Sequence, residues 1–336
     1  AKKKIYKTSG RSRIVDGPQI LQADQVDYAE ADSMGIASGN VIWQDTSANL
    51  TIQCDTARYN QTTGFLKATG GLQGRPLLIT LIDGDSLFMT ADTLLSQRAD
   101  TIANDSSRLL QAYYDVRIFK SDLQALCDSL SDITVDSLFR MFRSPIIWTD
   151  TTQFTADTIH MQLADDQLDK ILLYNHSFIL NSADELYFNQ IKGRDIIAQF
   201  DSSELRRMDI QGNAQSVYYP RDESDAYVGV NKTICSDMIV FFGNNQVDEI
   251  VFVTQLEGKL DPMTKADHEA LKLEGFNWQT YPPRPRSRAD LFGPPLRVLP
   301  PPGTRPAYSP NAGEKPTGAP PPPKPVRDDT LKIKEE

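Results

Sequence analysis

A four-residue unit (a small residue, an aspartate, any residue, then an apolar one) returns along this chain and constrains its fold more than any other feature. It reads Ala23-Asp24-Gln25-Val26, Cys54-Asp55-Thr56-Ala57, Ala91-Asp92-Thr93-Leu94, Cys127-Asp128-Ser129-Leu130, Ala156-Asp157-Thr158-Ile159 and Ala183-Asp184-Glu185-Leu186. Looser copies stand at Asp85, Asp136, Asp195 and Asp237. The clear copies lie roughly 27 to 37 residues apart, a spacing at which repeat architectures place one supersecondary unit. A weaker piece accompanies them, a turn-like pair followed by an apolar strand: Gly39-Asn40-Val41-Ile42-Trp43, Tyr114-Asp115-Val116-Arg117-Ile118, Asn175-His176-Ser177-Phe178 and Gly212-Asn213-Ala214.

Small or apolar residues alternate with polar ones over Ala37, Gly39, Val41 and Trp43 and again over Leu50, Ile52 and Cys54. A period of two marks a strand with one buried face. Turn residues at Asp45-Thr46-Ser47, Asn60 to Gly64 and Gly70-Gly71 separate the runs. The chain therefore reads as all-β, an array of antiparallel strand pairs. Ala183 to Asn189 and Ile196 to Phe200 are read as strands on their β-branched and aromatic content, and Gln97 to Arg108 as a hairpin loop. One short helix is expected over Thr264 to Leu273, where Lys, Ala and Glu follow Asp261-Pro262.

Composition shifts mark three regions. Residues 1–19 read as a polar, basic arm, loosely attached over Lys2 to Asp16. Residues 20–280 hold the strand repeats, as one array or as two consecutive segments with a break near 130–145. Residues 281–336 hold most of the 21 prolines and read as a disordered, polyproline-like tail with Leu291-Phe292 and Leu296 to Leu299 as its anchors. The tail reads as a solvated spacer or as a segment for a partner. The net charge of −10 and the lack of a basic stripe with interleaved aromatics exclude a nucleic-acid partner. No apolar run approaches the roughly 18 to 20 residues of a membrane-spanning helix, so membrane contact is expected only through partners. The opening Ala1-Lys2-Lys3-Lys4 suits a mature form after signal cleavage, or a trimmed chain.

An enzyme needs a nucleophile, a base and a stabiliser together. The three histidines, His160, His176 and His268, stand in no metal-ligand spacing, and no nucleophile elbow, P-loop or dinucleotide fingerprint is present. No catalytic residue, cofactor or metal is expected. His160 alternates within a strand and reads as a rim or core residue before a general base. The repeated aspartates could form a calcium ladder, or could tie down backbone at each strand start. Single aspartates without glycine at fixed short offsets favour the second reading. Cys54, Cys127 and Cys235 make no zinc signature, and two of them fill the small position of the unit. They read as small buried residues before a disulfide or a reactive thiol.

Ala23-Asp24-Gln25-Val26-Asp27-Tyr28, Ala37-Ser38-Gly39-Asn40-Val41 and Cys54-Asp55-Thr56-Ala57-Arg58-Tyr59 resemble the repeat of the organic-solvent-tolerance (OstA) family, which includes LptA and the amino-terminal domain of LptD. Later segments, among them Ala91 to Leu94, Arg117 to Asp122 and Gly275 to Trp278, look like the longer OstA-like proteins of Bacteroidetes. The resemblance spans about Ile20 to Trp278, is specific in its first third, and decays beyond it. Asp55-Thr56-Ala57, Asp92-Thr93-Leu94, Asp128-Ser129-Leu130 and Asp157-Thr158-Ile159 also look like the Asp-Ser/Thr-apolar O-glycosylation acceptor of exported Bacteroidetes proteins, a triplet that the repeat itself explains.

The resemblance implies an open, twisted β-jellyroll that carries the acyl chains of lipopolysaccharide across the periplasm toward the outer membrane. It also implies neighbours: LptC-like and LptD-like jellyrolls, or further copies of this chain, paired edge to edge. Strand parity gives the residues that would line such a groove. These are Val41, Trp43, Leu50 and Ile52, then Phe65, Phe88, Ile118 and Trp148, then Phe154, Met161, Leu173 and Phe178. For each the alternative is ordinary core. The competing function is a non-enzymatic adaptor of the cell envelope with a filled β core.

Overall fold

The computed structural model describes residues 5–98, 108–133, 137–165, 167–202, 204–243, 246–254, 256–278 and 284–293. The strands alternate between long and short in a fixed order. Four long ones come first: β1 (Ile5–Asp16), β2 (Gln19–Ala29), β3 (Met34–Asp45) and β4 (Leu50–Asn60). Four short ones follow: β5 (Phe65–Thr69), β6 (Leu77–Ile82), β7 (Asp85–Thr90) and β8 (Thr93–Arg98). Long β9 (Arg108–Phe119) and β10 (Leu123–Ile133) precede short β11 (Leu138–Phe142), β12 (Ile146–Thr149), β13 (Thr152–Thr155) and β14 (Thr158–Ala164). Long β15 (Gln167–Asn181) and β16 (Asn189–Asp201) precede short β17 (Glu204–Gln211), β18 (Ala214–Tyr218), β19 (Val230–Cys235) and β20 (Asp237–Gly243). The last two are β21 (Gln246–Val253) and β22 (Glu257–Asp261).

Pairing explains the order. Every pairing is antiparallel, and each long strand is shared between two leaves of one creased sheet. The first half of β4 pairs with β6 and its second half with β5; β6 then pairs with β7 and β5 with β8, and β7 and β8 rejoin on opposite halves of β9. The same split and rejoining repeats from β10 to β15 and begins again from β16. Leaf 1 contains β6, β7, β12, β13, β18, β19 and β22. Leaf 2 contains β5, β8, β11, β14, β17, β20 and β21. This is the all-β, open β-jellyroll of repeated strand pairs. One continuous core between the leaves runs from Leu21 to Val240. Among the described residues, β1 at one end, and β21 with β22 at the other, are paired along a single edge only.

The crease is where the two repeated sequence pieces meet. Both residues of each turn-like pair have positive φ; Gly39-Asn40, Tyr114-Asp115 and Asn175-His176 sit in mid-strand, whereas Gly212-Asn213 joins β17 to β18, as Arg143-Ser144 and Gly70-Gly71 stand between the short strands of the two leaves. Two left-handed residues in succession make a bulge that bends the strand from one leaf into the other. Gly and Asn adopt that conformation at least steric cost. The repeated aspartates stand opposite these bulges. Cys54 pairs with Val41 and Thr56 with Ser38, leaving Asp55 across from Gly39-Asn40, and Asp128 likewise faces Tyr114-Asp115. Asp195 accepts a hydrogen bond from the Asn175 N–H at 3.1 Å and Asp237 one from the Gly212 N–H at 2.8 Å. Asp24 accepts from Asn40 Nδ2 at 2.7 Å, and Asp157 contacts His176 Nδ1 at 3.0 Å. The aspartates thus tie down bulges rather than strand starts.

Further sequence expectations differ from the structure. Ile5–Asp16 is not a loose arm but the edge strand β1, aligned with β2 over nearly its whole length. Ala183 to Phe188 is not a strand but a loop, in which Asp184 accepts from the Leu186 N–H at 3.0 Å, so this copy of the unit lies off the crease. Thr264 to Leu273 is a run of turns without an α-helix, because its apolar residues Leu271 and Leu273 are drawn onto the outer face of leaf 1. That segment begins a strap. Residues 262–278 cover Phe178, Leu180, Val217 and Val230, and a 3-10 turn at Arg288–Phe292 buries Leu291 and Phe292 against Leu77, Ile79, Phe88 and Phe119. Arg117 fixes it by donating to the carbonyls of Leu291 at 3.4 Å and Gly293 at 3.0 Å. Residues 284–293 are therefore docked rather than extended, through the anchor pair Leu291-Phe292. The rest of the expected tail, residues 281–283 and 294–336, lies outside the described residues, as do Lys2 to Lys4, residues 99–107 of the expected loop and Asp136.

Candidate functional site

Opposite the crease the hairpin turns of the two leaves form a mouth, and the side chains at that mouth differ along the molecule. Near the first repeats it is shut. Asp45, where β3 ends in leaf 1, lies 3.8 Å from Arg108, where β9 begins in leaf 2, and both side chains are 3% exposed. Each partner is held independently. Asp45 Oδ1 accepts from Ser47 N at 3.1 Å and Ala48 N at 3.3 Å; Arg108 donates to Ser96 Oγ at 2.8 Å and the Gly64 carbonyl at 2.6 Å, with its guanidinium 4.9 Å over the Trp43 ring. Burial pulls the Arg108 pKa below its ordinary value, while the Asp45 charge opposes that shift. A second bridge follows, from Gln167 Nε2 in leaf 2 to Asp83 Oδ1 in leaf 1 at 3.3 Å.

Past that bridge the leaves separate around a cavity of about 750 Å³. Its floor and leaf-2 wall are apolar: Leu87, Phe154, Met161, Ile179, Met208 and Val240 lie deep, with Leu168, Phe200, Leu205, Phe242 and Val247 nearer the opening. These last five pack against the core yet are only partly buried. A volume of that size, with an apolar wall on one side and polar groups on the other, falls within the ordinary range for small-molecule sites, roughly 300–1,000 Å³.

The structure divides the twelve residues chosen by parity. Val41, Trp43, Leu50, Ile52, Ile118, Phe154, Met161 and Leu173 point between the leaves. Of these only Phe154 and Met161 line the cavity; the others fill the core, and Ile52 is fully buried at the shut end. Four point outward, a correction to the parity reading. Phe65 is half-buried while its neighbour Leu66 takes the inner side. Phe88, Trp148 and Phe178 lie on the outer face of leaf 1, where the strap or its contacts bury them. Parity missed Phe200, Leu205, Phe242 and Val247. Phe200 stays in step with Ile196 and Ala198, and Phe242 with Met238 and Val240; the register shifts fall on the partner strands, where an extra residue moves the inner face from Met208 to Leu205 and from Ile250 to Val247.

Two titratable sets lie away from the cavity. Cys54, Cys127 and Cys235 are buried free thiols beside the crease aspartates. Burial, with Asp55 adding to it, pushes the Cys54 thiol up to about 12, and burial also raises Cys127 and Cys235. Since the thiolate is the reactive form, the folded protein is expected to leave Ellman's reagent unreacted at neutral pH and to release all 3 thiols only on unfolding. A rapidly reacting native thiol would contradict that burial.

His160 lies on the outer face of leaf 2 with its ring 4.9 Å from Tyr174. Burial, then the charge of Arg140, lowers its pKa from 6.5 to about 4. Between those values the unfolded chain takes a proton that the folded one refuses, so stability falls as pH drops from 6.5 toward 4. His160→Gln is expected to flatten this acid limb in denaturation midpoints measured across that range. An unchanged limb would refute the assignment.

Among the described residues no three His, Cys, Asp or Glu side chains come together as a metal site. No protein-family model and no curated protein matches the chain. Among solved structures it is similar to LptH of Pseudomonas aeruginosa, the LptA-homologous periplasmic component of a lipopolysaccharide transport device, at 10% identity over 49% of this chain and 78% of that one, with a TM-score of 0.17. A likeness at that TM-score carries no weight for fold or function.

Proposed function

We propose that the protein carries acyl chains in the cavity between its leaves, as a lipopolysaccharide carrier in a protein bridge across the periplasm. The observation that supports this reading is the apolar wall of Leu168, Phe200, Leu205, Phe242 and Val247, turned inward yet only partly buried. Each large apolar side chain left open forgoes about 1.5–3 kcal/mol of burial, and an apolar guest recovers it. Carriage asks for nothing more directional, and modest affinity lets the guest move on. The lipopolysaccharide assignment rests on the resemblance of the first repeats to the organic-solvent-tolerance family. The single-paired edges of β1 and of β21–β22 suit strand addition by neighbouring jellyrolls, LptC-like, LptD-like or further copies.

In-cell photo-crosslinking from benzoylphenylalanine at Phe200 tests the reading, with Tyr113 on the outer face of leaf 2 as the control. A lipopolysaccharide adduct at Phe200 alone is expected. No adduct at either position, in exported and folded protein, would overturn it. The envelope adaptor with a filled core would then be the better description. That alternative already fits the first repeats, where Ile52, Leu66 and Leu94 are wholly enclosed.

A further inference from the structure

We infer that the leaf-1 lip of the cavity is a shelf for a hydroxyl-rich saccharide head group, so that an amphiphile lies with its chains under leaf 2 and its head on leaf 1; this rests on the groove reading above. The two lips are chemically unlike. On leaf 2, Glu204 is the only charged residue among the described residues that line the cavity. On leaf 1 the lining includes Asn181, Asn189, Ser216 and Tyr218, together with loop and strap residues. The mouth therefore has a polar side and an apolar side, which orients any guest that has both.

The charges on the polar lip decide the chemistry of the head. Four cations, Lys120, Arg221, Arg284 and Arg286, share it with five aspartates. Several are already matched: Lys120 Nζ meets Asp122 at 2.7 Å and Arg221 Nη1 meets Asp225 at 2.9 Å. A purely anionic head would meet the aspartates, and a cationic one the arginines. Hydroxyl groups donate and accept alike, so a neutral polyol can satisfy both signs at once.

Aromatic rings stand at the same end of the cavity. Tyr187, Tyr218 and Tyr227 line it, and a tyrosine offers a flat apolar face with a polar tip, suited to the C–H face and rim hydroxyls of a sugar ring. The array is fixed before any ligand arrives. Tyr187 and Tyr227 meet edge to face at 4.9 Å, Tyr227 Oη donates to Asp184 Oδ2 at 2.7 Å, and the Arg221 guanidinium lies 4.4 Å over the Tyr227 ring. Groups ordered in advance lose little entropy on binding.

The test compares three amphiphiles with one dodecyl chain, each below its micelle concentration, by titration calorimetry on the full chain: dodecyl maltoside, dodecyl phosphate and dodecyldimethylamine oxide. The maltoside is expected to bind about tenfold more tightly than the other two. Tyr218→Leu is expected to remove that advantage and to leave dodecyl phosphate binding unchanged, which also shows that the variant is folded. Equal binding of all three would overturn the shelf and leave the groove standing. Tightest binding of the phosphate would overturn it in favour of an anionic head. Binding of none would sink the groove reading and the shelf together.

Discussion

Arg108→Ala is expected to cost about 3–5 kcal/mol of stability, the loss seen when one partner of a buried ion pair is removed. Asp45 keeps its hydrogen bonds from Ser47 and Ala48, so the substitution leaves in place a carboxyl side chain that is 3% exposed and has lost its ion-pair partner. The change also removes the guanidinium from the Trp43 face and leaves the Ser96 hydroxyl and the Gly64 carbonyl without this donor. The double variant Asp45→Leu, Arg108→Met is expected to recover most of the loss, because two apolar side chains of similar size need no compensation. Denaturant midpoints for the wild type, both single variants and the double variant check this. A single variant losing less than about 1 kcal/mol would mean that water reaches the pair and that it behaves as a surface bridge. The site matters beyond stability. It shuts the mouth over Leu50 and Ile52, which are buried behind the pair.

What the sequence makes legible is the alternation and the crease. Asp24, Asp55, Asp92, Asp128 and Asp157 recur because each copy of the bulge needs an acceptor opposite it, and Gly39-Asn40 or Gly212-Asn213 recur because left-handed backbone favours those residues. What the repeats do not disclose is that Gly39-Asn40 lies inside a strand while Gly212-Asn213 separates two, since a turn and a bulge draw on the same residues. The inner face was legible wherever only one face is buried, as over Val41 to Ile52. It was lost in leaf 1, where the strap covers the second face and the strands become apolar on both sides: Leu77-Leu78-Ile79, Ile146-Ile147-Trp148 and Phe178-Ile179-Leu180. Strands buried on both faces read as continuous apolar runs, and such runs carry no parity. Strand parity places Phe88, Trp148 and Phe178 inward for that reason. The strap itself was hidden by its prolines and charges, although Leu291-Phe292 stood out as the one apolar pair beside them. The polar lip comes from long loops after β15 and β18, and no local pattern ties Tyr187 to Tyr227 across forty residues of chain.

Gly71→Ala is the other substitution expected to be severe, and it tests the crease directly. Gly71 has φ +134, in a region open essentially to glycine alone, and a Cβ there would lie 2.5 Å from the Arg75 carbonyl oxygen and 3.4 Å from the Cys54 Cα. Backbone strain of this kind costs about 1–3 kcal/mol, and the clash adds to it because the opposing atoms are backbone and cannot swing away. Arg75 is itself pinned: its guanidinium donates to Thr90 Oγ1, Asp92 Oδ1 and Asp115 Oδ2, each at 3.0 Å. Relief by moving Arg75 would thus loosen three points of the crease at once. Gly74→Ala is the matched control, with φ +82 and nothing within 4 Å of the added carbon, so it carries strain without a clash. The expected order of thermal midpoints is wild type, then Gly74→Ala, then Gly71→Ala, the last well separated from the other two. Equal losses at the two positions would show that the 71–75 turn shifts freely. In that case the crease would be held by the aspartate contacts alone, and Asp55→Ala would become the more damaging change.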